Sequence, residues 1–299
     1  MPRVIDFEIN LPRSEEDPAY WPAMHTRPGT AVADLQPRPE GYGFDNYNHI
    51  FKGRAAPKPE TPVDDGGLAR LIADMDRAGV ETGVVGASND TLARICTAHP
   101  SRFVGLSCTS PLDGMPGVRN FERLVREHNI GGLRVIPLYN SIPADDRRYY
   151  PLYAKCVELN VPVRIYTSMN YANDRPYDIG HPRYLDTVAI DFPELRIVAG
   201  LAGWPWITDM IGLLRRHPNL YCDTAAHRPR HFATPGSGWD SFLQFGNTLL
   251  QDKIMVGLSR STIGLSFEQL IAEYQQLPLR DAVMEKWLYR NAATFLQRE

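Results

Sequence analysis

The feature that most restricts what this chain can fold into is a repeating alternation. Short apolar runs recur along it, and longer stretches with helical spacing lie between them. The runs are Val4–Ile9, Thr82–Ala87, Phe103–Cys108, Gly132–Pro137, Val161–Thr167, Arg196–Leu201, Leu220–Thr224 and Ile254–Leu258. They are rich in Val, Ile, Leu and aromatic residues, as expected of strands covered on both faces. Asp64–Ala78 places Leu68, Leu71, Ile72 and Met75 at i, i+3, i+4 and i+7, the stripe of an amphipathic helix. Gly117–His128 puts Phe121, Leu124 and Val125 on one face. Asp90–Ala98, Tyr149–Leu159, Pro182–Asp191, Trp206–Arg216, Phe267–Gln276 and Arg280–Leu296 complete the helical set. Gly79 and Asn129-Ile130-Gly131 are C-cap signals, and Pro100 and Pro218 stop the helices before them. Eight strand-and-helix units predict an α/β fold, a single (β/α)8 TIM barrel over residues 1–299. A doubly wound sheet is the alternative, but it seldom needs so many regular units.

Two stretches break the rhythm. Leu11–Pro62 is Pro-rich and carries Tyr20, Trp21, Tyr42, Phe44, Tyr47 and Phe51. His227–Asp252 is the second. They follow the first and seventh strands, so both are expected as loop insertions over the C-terminal mouth, where barrel active sites are built. A dimerisation arm, and hence a homodimer, is the other reading.

Composition excludes several classes. The net charge is −3 with 22% charged residues, so no basic domain for nucleic acid is present. No window approaches the apolar length of a membrane span, and Met1-Pro2-Arg3-Val4-Ile5-Asp6 has no signal-peptide character. Cys96, Cys108, Cys156 and Cys222 form no CxxC pair and read as reduced thiols of a cytoplasmic protein. The expected partner is a small-molecule substrate.

Pro182-Arg183-Tyr184-Leu185-Asp186, Asp191-Phe192-Pro193-Glu194-Leu195-Arg196-Ile197-Val198 and Gly203-Trp204-Pro205-Trp206 resemble the amidohydrolase-related family. This is the group of the aminocarboxymuconate semialdehyde decarboxylase-like enzymes. His217-Pro218-Asn219-Leu220-Tyr221-Cys222-Asp223 is similar to its seventh strand, and Asp252-Lys253-Ile254-Met255-Val256-Gly257 to its eighth. Asn291-Ala292-Ala293-Thr294-Phe295-Leu296 resembles its C-terminal helix. The resemblance runs over nearly the whole chain and implies the same barrel.

The metal ligands of that family do not carry over. Its first strand usually ends Asp-x-His-x-His, and here the place reads Asp6-Phe7-Glu8-Ile9-Asn10. Tyr166 and Leu201 stand where strands 5 and 6 usually bring histidines, and Ser259 where strand 8 brings an Asp. Catalytic zinc needs about three protein ligands, so the expectation is a site with no metal and no cofactor. Some lactonases among the relatives work without a metal.

Residues at the strand ends are therefore the candidates. Glu8 is read as general acid or base, its pKa raised by apolar neighbours, and as facing the same way as Asn10. A structural ion pair of Glu8 with an interior arginine is the alternative. Asn10 and Tyr166 are candidate polar donors to a substrate or oxyanion. Arg134 is placed to bind a substrate carboxylate or to pair with Glu8, and Arg164 is another partner for Glu8. Asp223 would pair with His227 or Arg228, or serve only as a cap. Ser259 lies in no G-x-S-x-G elbow, which argues against a serine nucleophile and leaves it a binding role. Arg260 is a candidate anion holder. Arg13 and His25 would close over substrate, and Trp204 would wall it, whereas Trp206 is read as core. The function expected is metal-independent hydrolysis or lyase chemistry on a small carboxylated cyclic or aromatic compound, with lactonase-like ring opening ahead of decarboxylation. A non-catalytic ligand-binding or regulatory barrel and an acid/base isomerase or hydratase are the alternatives.

Overall fold

A computed structural model describes residues 2–20, 40–46 and 67–298. Eight strands run parallel in sequence order: β1 (Val4–Ile9), β2 (Val80–Val85), β3 (Phe103–Ser107), β4 (Ile130–Val135), β5 (Val163–Tyr166), β6 (Ile197–Gly200), β7 (Leu220–Asp223) and β8 (Ile254–Met255). The Phe7 N–H donates to the Val256 carbonyl at 2.9 Å and ties the first strand to the last segment. The fold is the expected (β/α)8 barrel, with helices Gly67–Ala78, Asn89–Ala98, Gly114–His128, Tyr150–Glu158, Arg183–Asp191, Ile207–Arg216 and Phe267–Gln275 between and after the strands.

Two expectations about the elements change. The helix expected over Arg280–Leu296 is an α segment Asp281–Glu285, a π turn Lys286–Arg290 and an α segment Asn291–Leu296. The stretch His227–Asp252 is not a bare loop: it holds the helix Asp240–Gly246, anchored by buried Trp239 and Phe242. Most of Leu11–Pro62, including His25, lies outside the described residues. Its described parts are pinned to the barrel. The Glu15 carbonyl accepts from Thr91 and Arg94 at 3.3 and 3.1 Å. The Gly43 N–H donates to Asn173 at 2.7 Å, and Asn46 to the Tyr171 carbonyl at 2.8 Å.

The strands bury side chains on two sides. Outward residues such as Val4, Leu133, Ile165 and Cys222 pack against buried Met75, Phe121 and Tyr153 of the helices. Inward, Ile5, Phe7, Val84, Val104, Leu106, Val198 and Met255 fill the lower half of the barrel, and Ala292, Ala293 and Phe295 close it from below. Among the described residues, no helix is long and apolar enough to cross a membrane.

Candidate active site

The upper half of the barrel is charged, and a bulge in β1 makes it so. Asp6 pairs with Gly83 and Ile9 with Val85, leaving one extra residue on β1. Strict alternation would send Glu8 outward with Asp6; the bulge turns it inward beside Phe7. Two arginines meet it there. Arg134 on β4 donates through Nη2 to Glu8 Oε1 at 3.0 Å, and Arg164 on β5 lies 2.7 Å from Glu8 Oε2 through Nη1. Arg164 also donates to Asp223 of β7, Nε to Oδ2 at 2.6 Å and Nη2 to Oδ1 at 3.1 Å. Asp223 Oδ1 in turn accepts the Leu201 and Ala225 N–H groups at 3.1 and 3.0 Å.

Two glycines give the guanidinium groups their space. A Cβ at Gly86 would sit 2.2 Å from Arg134 Nη1, and one at Gly200 would sit 3.1 Å from Arg164 Cζ. The arrangement also reverses the expected ionisation of Glu8. Burial alone would raise its pKa, but Arg164 and Arg134 outweigh burial and hold the carboxyl below its ordinary value. It is an ionised partner of two cations, not a protonated acid in an apolar pocket.

Asp6 behaves oppositely. Its Oδ1 accepts from the Glu8 and Leu258 N–H groups at 3.0 and 2.7 Å. Its Oδ2 is buried with no hydrogen-bond partner among the described residues. Burial pushes its pKa up to about 7, the two backbone bonds oppose this, and the charges of Glu8 and Asp223 add to it.

The remaining candidates divide. Asn10 has a buried carboxamide oxygen without a hydrogen-bond partner among the described residues. Tyr166 joins Tyr139, Tyr171 and Phe44 around Ile136, Leu138 and Ile179, an aromatic cover on the β4–β5 side of the mouth. A recess of about 20 Å³ beneath it is lined by Cys108, Thr109, Ser110, Arg134, Tyr139 and Asn140, room for little more than a water molecule.

The expected pairing of Asp223 with His227 or Arg228 is not formed, because Arg164 takes Asp223 and Glu273 takes Arg228. The His227 ring lies 5.9 Å from Trp204 and 4.9 Å from Trp239, with its Nε2 buried and unpartnered among the described residues. Burial lowers its pKa to about 4, against a hydrogen bond to the Leu201 backbone, so the ring is neutral at pH 7. Arg260, expected as an anion holder, pairs with Asp74 at 2.8 Å and lies over Phe267. Ser259 is buried and accepts the Ala226 N–H at 2.8 Å, joining the loops after β7 and β8. Arg13 is exposed in a short 3-10 turn. Trp206 is half-buried, not core, and meets Tyr177 and His181. A larger cavity, about 670 Å³, opens at the opposite end of the barrel beside Arg3, Met284 and Tyr289, the end that in this fold serves stability.

Sequence reasoning passed over three parts of this site. By sequence Asp6 is only a motif position, Cys108 a reduced thiol and Arg164 a further partner for Glu8. Gly86 and Gly200 at strand ends were the available signal, since a missing side chain there leaves space inside a barrel.

A divalent cation does not fit these side chains. Both Glu8 oxygens are engaged by guanidinium groups, Leu201 is a hydrocarbon, and Ser259 is committed to a backbone bond. Among the described residues, no three His, Cys, Asp or Glu side chains come together in a way that could hold a metal ion.

Comparison with known proteins follows the same fold. A stretch of 133 residues is 32% identical to a 2-keto-4-carboxy-3-hexenedioate hydratase of Sphingobium, and it spans 38% of this chain and 38% of that protein. An uncharacterised TIM-barrel protein from Bordetella bronchiseptica superposes with a TM-score of 0.74 at 24% identity, covering 99% of each chain. A 5-carboxyvanillate decarboxylase from Novosphingobium aromaticivorans, solved with bound manganese, superposes with a TM-score of 0.60 at 16% identity over 76% of this chain and 80% of its own. These structural likenesses are likenesses of fold. Residues 5–298 match the family model described as Amidohydrolase, and the chain therefore belongs to the amidohydrolase family.

Proposed function

We propose that this chain is a metal-independent hydrolase or lyase that takes a small carboxylated cyclic or aromatic compound at the C-terminal mouth of its barrel. The observation that carries the reading is the Arg134–Glu8–Arg164 arrangement, in which the two cations differ in how firmly they are held. Arg164 is fixed by Asp223 and Glu8. Arg134 meets one carboxylate among the described residues, Glu8, and lines the recess.

A substrate carboxylate entering the recess competes with Glu8 for Arg134, and a bidentate Arg–carboxylate contact is strong enough to win that exchange. The aromatic cover must shift to admit it. Glu8 then keeps one cation in place of two, and its proton affinity rises toward that of a useful base. In ring-opening hydrolysis, Glu8 takes a proton from water as the water oxygen attacks the lactone carbonyl, and returns it to the ring oxygen as the acyl C–O bond breaks, leaving a hydroxy acid. Asn10 and Tyr166 are the polar groups beside that path. Ring opening stands ahead of decarboxylation because it uses this released base directly. Addition of water to a carbon–carbon double bond would use the same base, and the hydratase relative supports that as the second reading.

The test is a screen of carboxylated lactones, unsaturated diacids and aromatic acids with product identification, run on wild type, Glu8→Gln and Arg134→Met. Glu8→Gln is expected to lower kcat by about 10²–10⁴-fold with the fold retained. Arg134→Met is expected to raise KM by roughly 10–100-fold. Full turnover in Glu8→Gln would remove Glu8 from the chemistry. Tight binding with no turnover on any of these compounds would replace the enzyme reading with a ligand-binding one.

A further inference from the structure

The centre of the barrel mouth is occupied by a cation that belongs to the chain. The Arg164 side chain is 3% exposed and uses its three nitrogens on two carboxylates, Glu8 of β1, which lies across the barrel from β5, and Asp223 of β7. Its Cζ sits against Gly200 at the end of β6. Asp223 completes a shell of its own with the backbone N–H groups of Leu201 and Ala225. Such a group is held as a metal ion is held, by converging anions whose orientation is fixed from behind.

We propose that Arg164 is the resident cation of this site, held by Glu8 and Asp223 in place of any divalent ion. Charge supports the assignment as well as geometry. Glu8 and Asp223 balance Arg164 and Arg134, so these four side chains carry no net charge among themselves. A divalent ion added to it would bring two uncompensated charges into a buried space, which is strongly unfavourable. Removal of the guanidinium leaves the opposite defect, two buried carboxylates facing a hole of guanidinium shape.

The inference goes beyond the enzymatic reading and is tested by binding and melting, so the two fail separately. Wild-type protein titrated with manganese(II) should leave the free-ion EPR signal undiminished. Arg164→Ala should melt on the order of 10 °C below wild type. Guanidinium ion at low millimolar concentration should recover much of that loss, while urea, its neutral isostere, should not. Arg164→Ala combined with Glu8→Gln and Asp223→Asn should lose the response to guanidinium. If Arg164→Ala is recovered only as insoluble protein, its refolding yield with guanidinium against urea reads the same quantity. Uptake of one manganese by wild type that disappears in Glu8→Gln would overturn the proposal. So would an Arg164→Ala protein, folded or refolded, that is indifferent to guanidinium.

Discussion

The two halves of one barrel interior follow different rules. Below, Ile5, Phe7, Val84, Val104, Leu106, Val198 and Met255 make an apolar plug sealed by Phe295. Above, Glu8, Arg134, Arg164 and Asp223 bring four charges into a space from which water is largely shut out. The plug is stabilising by simple burial, worth about 1.5–3 kcal/mol for each large side chain. The charged layer contributes little net stability, because desolvation offsets most of the attraction within it. It keeps its place because any one member removed alone leaves another buried and unpaired. The lower layer holds the barrel by apolar burial, and the upper layer is held by mutual charge pairing.

The sharpest way to break that division is Phe7→Ala. It should cost about 3–5 kcal/mol of stability, seen as a fall in Tm on the order of 10 °C. It should leave the affinity of the mouth for a carboxylated ligand unchanged. A matching loss of affinity would show that the two layers are coupled.

The pH dependence of stability sharpens the upper layer. Asp6 has a folded pKa of about 7, above its ordinary value. Between about pH 4 and 7 the folded state therefore holds a proton that the unfolded state has lost, and stability falls as pH rises. His227 has a folded pKa of about 4, below its ordinary value. Between about pH 4 and 6.5 the unfolded state holds the extra proton, and stability rises with pH. The two slopes, each about 1.4 kcal/mol per pH unit, oppose one another. In Asp6→Asn the rise due to His227 should stand unmasked, worth about 2 kcal/mol between pH 5 and 6.5 by denaturant titration. An unchanged profile in Asp6→Asn would mean that Asp6 does not titrate in this range.

The smallest effect is expected outside the mouth. Arg260→Gln removes the contact with Asp74 and should cost about 1 kcal/mol or less, with KM unchanged. A rise in KM of tenfold or more would return Arg260 to the binding site.

Much of the fold was legible because strand and helix periodicities are local properties. Val163–Tyr166 and Ile207–Arg216 declare themselves through their own residues. The strand β8, Ile254–Met255, is shorter than the apolar run Ile254–Leu258; a buried apolar run looks the same whether or not its last residues keep the ladder. The candidate residues Glu8, Arg134 and Asp223 were legible by position, since strand ends face the mouth in this fold. Their partners were not. Arg164 and Asp223 are 59 residues apart in the chain, and no spacing rule reaches across three strands. Asp223 had His227 and Arg228 within a few residues, yet Arg164 reaches it through the barrel interior while Glu273 draws Arg228 away.

What the sequence determined alone was the eight-unit alternation, and with it the barrel and the end that carries polar residues. These follow from side-chain patterning, which acts over a few residues. The bulge that turns Glu8 inward, the choice of Arg164 over His227 for Asp223, and the opposite ionisation of Asp6 and Glu8 were decided only in three dimensions. Burial and charge pairing belong to the assembled interior, where the energy of each group depends on neighbours the chain brings in from far away.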